Sequence, residues 1–169
     1  MATKHDNLLD WLRDAHAMET QAESMLKAQA ERLEHYPALR KRIEQHLEET
    51  HGQKQNLELC ITRLGSSPST VKDIAGKLMA LGQAAGGMLN SDEVVKGAMS
   101  GYVFENIEIA MYTVLIEAAK QCGDTETQAI CEQILPQEVA MADWLREHLP
   151  ELTKAFLNRS ESPNVEAKR

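Results

Sequence analysis

Several glutamates stand where a helical protein ordinarily places leucine. Counted at the helical period, Glu19 falls in line with Leu8, Leu12 and Leu26, Glu105 sits between Tyr102, Ile109 and Tyr112, and Glu138 lies between Ile134 and Met141. Glu23 and Glu108 fall at the edges of their stripes. On the stretch between the first two, His46 and Thr50 face inward with Gln53 nearby, and Glu49 lies on the flank beside His46. Buried charge needs a partner. Inward carboxylates on several helices are met in small bundles by metal ions held between them, so the expected ligands are Glu19, His46, Glu49, Glu105, Glu108 and Glu138.

Carboxylates with an imidazole suit iron or manganese, whereas closed zinc sites favour more Cys and His, and calcium favours oxygen-rich loops. The expected cofactor is therefore iron or manganese, with a dinuclear centre within reach of this many carboxylates. Its chemistry would be ferrous oxidation coupled to reduction of oxygen or peroxide, with Glu105 as a bridge between metals about 3.5–4 Å apart. The formal Glu-x-x-His at Glu48–His51 is a decoy, since Glu48 projects nearly opposite the apolar centre. His46-x-x-Glu49 is the better pair. Lys54 is the competing partner for an inward acid, but one ammonium cannot satisfy three. Tyr102 and Tyr112 can donate hydrogen bonds to the carboxylates, and Met79, Met88, Met99, Met111 and Met141 are expected to fill gaps in the core.

Four long amphipathic helices must position these residues. The first is expected over residues 6–34, ending at Tyr36-Pro37, and the second from Pro37 until Gly65-Ser66-Ser67-Pro68 stops it. A shorter helix over 69–85 precedes the Gly86-Gly87 break, after which Asn90 is the expected cap of a third long helix over 92–121. Its inward side is read as Val95, Ala98, Tyr102, Ile109, Ile116 and Ala119. Gly123-Asp124 ends it. The fourth helix carries Ile130, Ile134, Met141 and Leu145, contains Pro136, and is expected to reach about residue 148, with one short turn from Pro150. The long connection over 66–90 lets the second hairpin run in a crossover sense rather than simple up-down. The class is all-α: one bundle domain over 1–158, a four-helix bundle with a long crossover containing a short helix, then a polar tail over 159–169.

The chain has 169 residues, 43% of them apolar, with 26 acidic residues against 18 basic ones, giving a formal charge of −8. That balance offers duplex DNA or anionic lipid little to hold, so no nucleic-acid or membrane partner is expected. Metal ions are the expected small partners. Three cysteines without Cys-x-x-Cys spacing point to reduced thiols and a cytoplasmic setting. No apolar run is long enough for a membrane span.

The motifs Leu-x-Asp-Ala-x-x-x-Glu over Leu12–Glu19, His46-Leu-Glu-Glu-Thr50, Glu105-Asn-Ile-Glu108-Ile-Ala-x-Tyr112 and Glu138 ahead of Ala142-Asp143-Trp144-Leu145 resemble the YciE/YciF family of ferritin-like bacterial proteins. The resemblance covers about residues 6–149. It implies a ferritin-like fold related to rubrerythrins and ferritins and an association with bacterial stress responses, without an established reaction. Two complete Glu-x-x-His motifs, as rubrerythrins have, are absent: Thr50 and Gln53 occupy the inward positions of the second helix, and Met141 stands three residues after Glu138. The leading expectation is a stress-associated protein binding one or two iron or manganese ions, with a homodimer as its assembly. The alternative is a non-enzymatic helical dimer acting as a structural or protein-interaction module.

Overall fold

The computed structural model describes residues 1–67, 92–162 and 167. Four long helices account for nearly all of them: α1 (Lys4–Arg32), α2 (Pro37–Arg63), α3 (Glu93–Cys122) and α4 (Thr125–Ser160). The expected short helix over 69–85, with Met79 and Met88, lies outside the described residues. Cross-helix pairs fix the directions. His16 meets Glu58 and Glu23 meets His51, so α1 and α2 are antiparallel; Arg32 meets Glu93 and Tyr112 meets Glu19, so α1 and α3 are antiparallel too. Arg63 meets Asp124 while Gln53 meets Gln137, which sets α4 against α2. Helices α2 and α3 therefore run parallel, as the long crossover requires, and the bundle is ferritin-like.

Local chemistry sets the helix ends. Helix α1 starts two residues before the expected position because Thr3 and Asp6 form a reciprocal capping box, with the Thr3 N–H donating to Asp6 at 2.8 Å and the Asp6 N–H to Thr3 Oγ1 at 3.1 Å. Pro37 opens α2 at the first turn, where its missing N–H costs nothing. Asp92, rather than Asn90, occupies the cap position of α3; Asn90 lies outside the described residues. Gly123 closes α3 with φ 69°, a left-handed conformation that favours glycine.

Helix α4 passes the expected end near residue 148 and continues through Pro150 to Ser160. Proline removes one backbone donor, but Leu152 is buried, and Ala155 and Phe156 pack partly buried, in one apolar cluster with Leu33, Tyr36 and Leu39. That packing carries the helix past the break. Beyond it, the Tyr36 hydroxyl donates to the Ala167 carbonyl at 2.6 Å.

The core is in two apolar halves. One gathers Leu8, Leu12, Leu57, Ile61, Leu115 and Ile134, and the other Leu26, Leu39, Ile43, Ala98, Met141 and Leu145. Burying each of these leucines, isoleucines and the methionine is worth about 1.5–3 kcal/mol, so both halves hold the helices firmly. Between them lies a polar layer of Glu19, His46, Thr50, Gln53, Glu105, Glu108 and Glu138, each no more than 3% exposed.

Helix α3 is rotated from its expected register. Its deepest line is Val94, Ala98, Glu105, Glu108, Tyr112, Leu115 and Ala119, while Val95, Tyr102, Ile109 and Ile116 sit half-buried on the flanks. Glu108 thereby moves from the edge to the centre. The cause is an apolar stripe that wraps too far round the helix for its middle to be read: Met99, expected in the core, is 53% exposed, and Val103 and Val114 are exposed with it.

Candidate metal centre

Each element contributes to the polar layer from its middle, where helix geometry is most rigid. His46 stands on α2, Glu105 and Glu108 on α3 one turn apart, and Glu138 on α4. One ligand atom from each of these four lies within 4.8 Å of one from every other. Helix α1 adds Glu19, which accepts a hydrogen bond from the Tyr112 hydroxyl.

The imidazole organises the group. His46 Nδ1 lies 2.7 Å from Glu49 Oε2, while Nε2 points inward, 3.1 Å from Glu105 Oε2 and 3.4 Å from Glu138 Oε2. Glu49 is partly exposed and is itself held by Gln45 Nε2 at 3.0 Å and Arg42 Nη1 at 3.3 Å. A carboxylate accepting from one ring nitrogen fixes the tautomer and leaves the other nitrogen to face a metal. Of the six expected ligands, Glu105, Glu108, Glu138 and His46 stand together, Glu49 lies on the outer side of the imidazole, and Glu19 sits against Tyr112.

The electrostatics favour a cation. Among the described residues, both oxygens of Glu108, both of Glu138, Oε2 of Glu105 and Oε2 of Glu19 have no hydrogen-bond partner, although all are buried. His46 lies within ion-pairing distance of two of these oxygens without an aligned N–H. Burial and the charges of Glu19, Glu105 and Glu138 push the Glu108 carboxyl well above its usual range. Burial and Glu138 do the same to Glu19, against the opposing Tyr112 hydrogen bond. Burial raises Glu105 to about 7 despite the neighbouring imidazole. Burial alone would lower His46, but the carboxylates of Glu105, Glu138 and Glu49 outweigh it and hold the ring protonated. One imidazolium faces four buried acids. Three carboxylates and one imidazole nitrogen, converging and short of donors, form a group that could hold a metal ion.

Glu48 is 81% exposed on its side chain, and His51 pairs with Glu23 at 3.0 Å, so neither joins the layer. Lys54 is bound by Glu23 at the rim of the α1–α2 seam and neutralises none of the inner acids. Sequence reasoning missed Arg42, which bonds Glu49, and Gln137, whose Oε1 accepts from Gln53 Nε2 at 2.9 Å. The signal for Arg42 was its place four residues before His46, on the same helix face.

Residues 3–158 match the family model described as Domain of unknown function (DUF892). A crystal structure of a protein from Xanthomonas campestris pv. campestris is 41% identical, covering 95% of this chain and 100% of that one, with a TM-score of 0.80. YcfI from Rhodopseudomonas palustris is 28% identical over 85% of this chain and 93% of its own, with a TM-score of 0.72. The Escherichia coli stress protein YciF shares the fold at 21% identity and a TM-score of 0.74, covering 89% of this chain and 97% of that one. The chain belongs to the DUF892 family of ferritin-like bacterial proteins, the YciE/YciF group that its motifs resemble.

Proposed function

We propose that the protein binds iron or manganese in its polar layer and serves in bacterial stress protection. The observation that carries this reading is the convergence of His46, Glu105, Glu108 and Glu138 within 4.8 Å, with six buried carboxylate oxygens lacking a hydrogen-bond partner among the described residues. Glu105, Glu108 and Glu138 would supply oxygen ligands and His46 Nε2 the nitrogen. Glu49 would orient that ring from outside, with Arg42 and Gln45 holding Glu49. Bound iron would supply one-electron chemistry toward oxygen or peroxide, and the two apolar halves of the core would keep bulk water from the layer. The stress role rests on likeness to YciF, a protein described as a stress protein.

Metal content is the test. Protein purified without chelator should carry iron or manganese; Glu105→Gln should lower that content sharply, and Glu48→Gln should leave it unchanged. Equal metal in all three would refute the assignment.

The assembly reading has its own observation. From Gly97 to Ile116 the only charged residues of α3 are Glu105 and Glu108, both turned inward, so exposed Met99, Val103 and Val114 lie on a charge-free strip. Such a strip suits a two-fold contact between chains of charge −8, because it brings no like charges together across the axis. Sedimentation should give twice the 18.9 kDa chain mass, and a monomer at micromolar concentration would contradict it. The three cysteines are free, as a reducing cytoplasm would keep them.

A further inference from the structure

Cys60 and Cys131 take no part in the polar layer, yet each stands in line with one of its members. Cys60 follows Gln53 by seven residues on α2 and Cys131 precedes Glu138 by seven on α4, so both thiols face the interior. Two cross-helix contacts fix the register of these antiparallel helices. Arg63 Nη2 lies 2.6 Å from Thr127 Oγ1, and Gln53 Nε2 lies 2.9 Å from Gln137 Oε1. From either contact, moving along α2 to Cys60 and equally far the other way along α4 arrives at residue 130, next to Cys131. The two thiols therefore face each other at one level of the bundle, and both are fully buried in the apolar cluster of Leu57, Ile61 and Ile134. Packed helices lie about 8–10 Å apart and each inward Cα stands about 2.3 Å off its axis, which brings facing Cα atoms to the separation of about 4.4–6.8 Å that a disulfide spans.

The surroundings of the two thiols differ. Thr127 is within hydrogen-bonding reach of the Cys60 sulfur; burial raises the Cys60 thiol, while Thr127 and the Arg63 guanidinium oppose that rise. Burial, with the charge of Cys60 added, pushes Cys131 to about 12. Cys60 is thus the readier nucleophile of the pair. Arg63 also lines a cavity of about 290 Å³ at this end of the bundle, together with His5, Cys122 and Asp124. The side chain that touches Thr127, the neighbour of Cys60, is therefore part of the cavity wall.

We propose that Cys60 and Cys131 are a dithiol site for hydrogen peroxide, which oxidises them to a disulfide tying α2 to α4. Peroxide is small and uncharged, so it can pass the Arg63–Thr127 contact from the cavity, whereas a bulky charged disulfide cannot. The Cys60 sulfur attacks one peroxide oxygen: the S–O bond forms, the O–O bond breaks, and the departing oxygen takes the Cys60 proton and leaves as water. The Cys131 sulfur then attacks the Cys60 sulfur: the S–S bond forms, the S–O bond breaks, and the hydroxyl takes the Cys131 proton and leaves as a second water. The thiols lose two electrons and the peroxide gains them.

No metal enters this step, so it is tested on chelator-treated protein, where its failure leaves the metal reading untouched. The full chain carrying Cys122→Ser is exposed to hydrogen peroxide while folded, then quenched in acid, unfolded, alkylated and weighed by mass spectrometry. Both remaining thiols should disappear together, the chain should lose two hydrogen atoms, and digestion should give one Cys60–Cys131 cross-linked peptide that dithiothreitol splits. The oxidised chain should melt about 5–10 °C above the reduced one, because the link closes a long loop of the unfolded chain. Cys131→Ser in the same background should stop at a Cys60 sulfenic acid, captured by dimedone on unfolding. Wild type guards against a folding defect in these variants: it should give the same cross-linked peptide, with Cys122 outside the link. Cys60 and Cys131 both still open to alkylation after peroxide has oxidised Cys122 of wild type would overturn the proposal. So would a link through Cys122, a link between chains, or sulfinic acid at both buried positions.

Discussion

Saturating Fe²⁺ (under anaerobic conditions) or Mn²⁺ should raise the melting temperature by about 5–10 °C at pH 8, and by far less at pH 5. The size follows from mass action: ligand at about a hundred times its dissociation constant adds about 2.7 kcal/mol, and each kcal/mol moves the midpoint of a domain this size by about 2–4 °C. The pH dependence follows from the carboxyls. Glu19, Glu105 and Glu108 have folded values above their unfolded ones, so their contribution to stability is fully present below about 4.5 and is lost as pH rises through the folded values, about 7 for Glu105. The raised His46 acts in the same direction, its contribution present below its usual value and lost at alkaline pH. The metal-free bundle therefore weakens from mildly acidic to mildly alkaline pH. A cation that binds the deprotonated carboxylates and a neutral ring reverses that loss, and does so most where protons no longer compete. Glu23, Glu49 and Asp124 have lowered values and work in the opposite sense, losing stability as pH falls through their own range. They shape the acid limb and leave the neutral window to the core. Differential scanning across pH, with and without ion, reads both limbs; a metal increment independent of pH would contradict the assignment.

Glu108→Gln should stabilise the metal-free protein at pH 8 by about 1–3 kcal/mol, the scale of a buried polar group left without its partner, while abolishing metal uptake. Glu108 is fully enclosed and neither oxygen has a hydrogen-bond partner among the described residues. The amide keeps the shape, removes the repulsion from Glu19, Glu105 and Glu138, and offers N–H donors to those acceptors. A structural role would give the opposite sign, since removing a paired charge destabilises. Denaturant unfolding in chelator, set beside metal analysis of the same preparation, separates the two. Loss of stability with unchanged metal would favour the interaction-module reading.

Much of this was legible in the sequence because helical bundles are written in a short period. The inward positions of Glu19, His46, Glu105 and Glu138 followed from apolar neighbours three, four and seven residues away, and the parallel run of α2 and α3 from the length of the connection alone. Glu108 was misplaced to an edge for a physical reason: with Met99, Val103 and Val114 apolar on the outer side, the stripe of α3 has no sharp centre, and only packing against three other helices sets its rotation. The end of α4 was missed because local rules stop a helix at Pro150, whereas the tertiary cluster of Leu152 with Tyr36 and Leu39 lies far away in sequence. The split between His46 Nε2 and Glu49 on Nδ1 depends on ring orientation, which spacing does not encode.

The most direct test of the metal assignment is anomalous scattering at the manganese and iron edges from crystals grown with each ion. The account predicts a peak about 2.0–2.3 Å from His46 Nε2 and from oxygens of Glu105, Glu108 and Glu138, with Glu49 still on Nδ1. The contradicting result is a polar layer without a peak at either edge, in which His46 alone continues to bridge Glu49, Glu105 and Glu138.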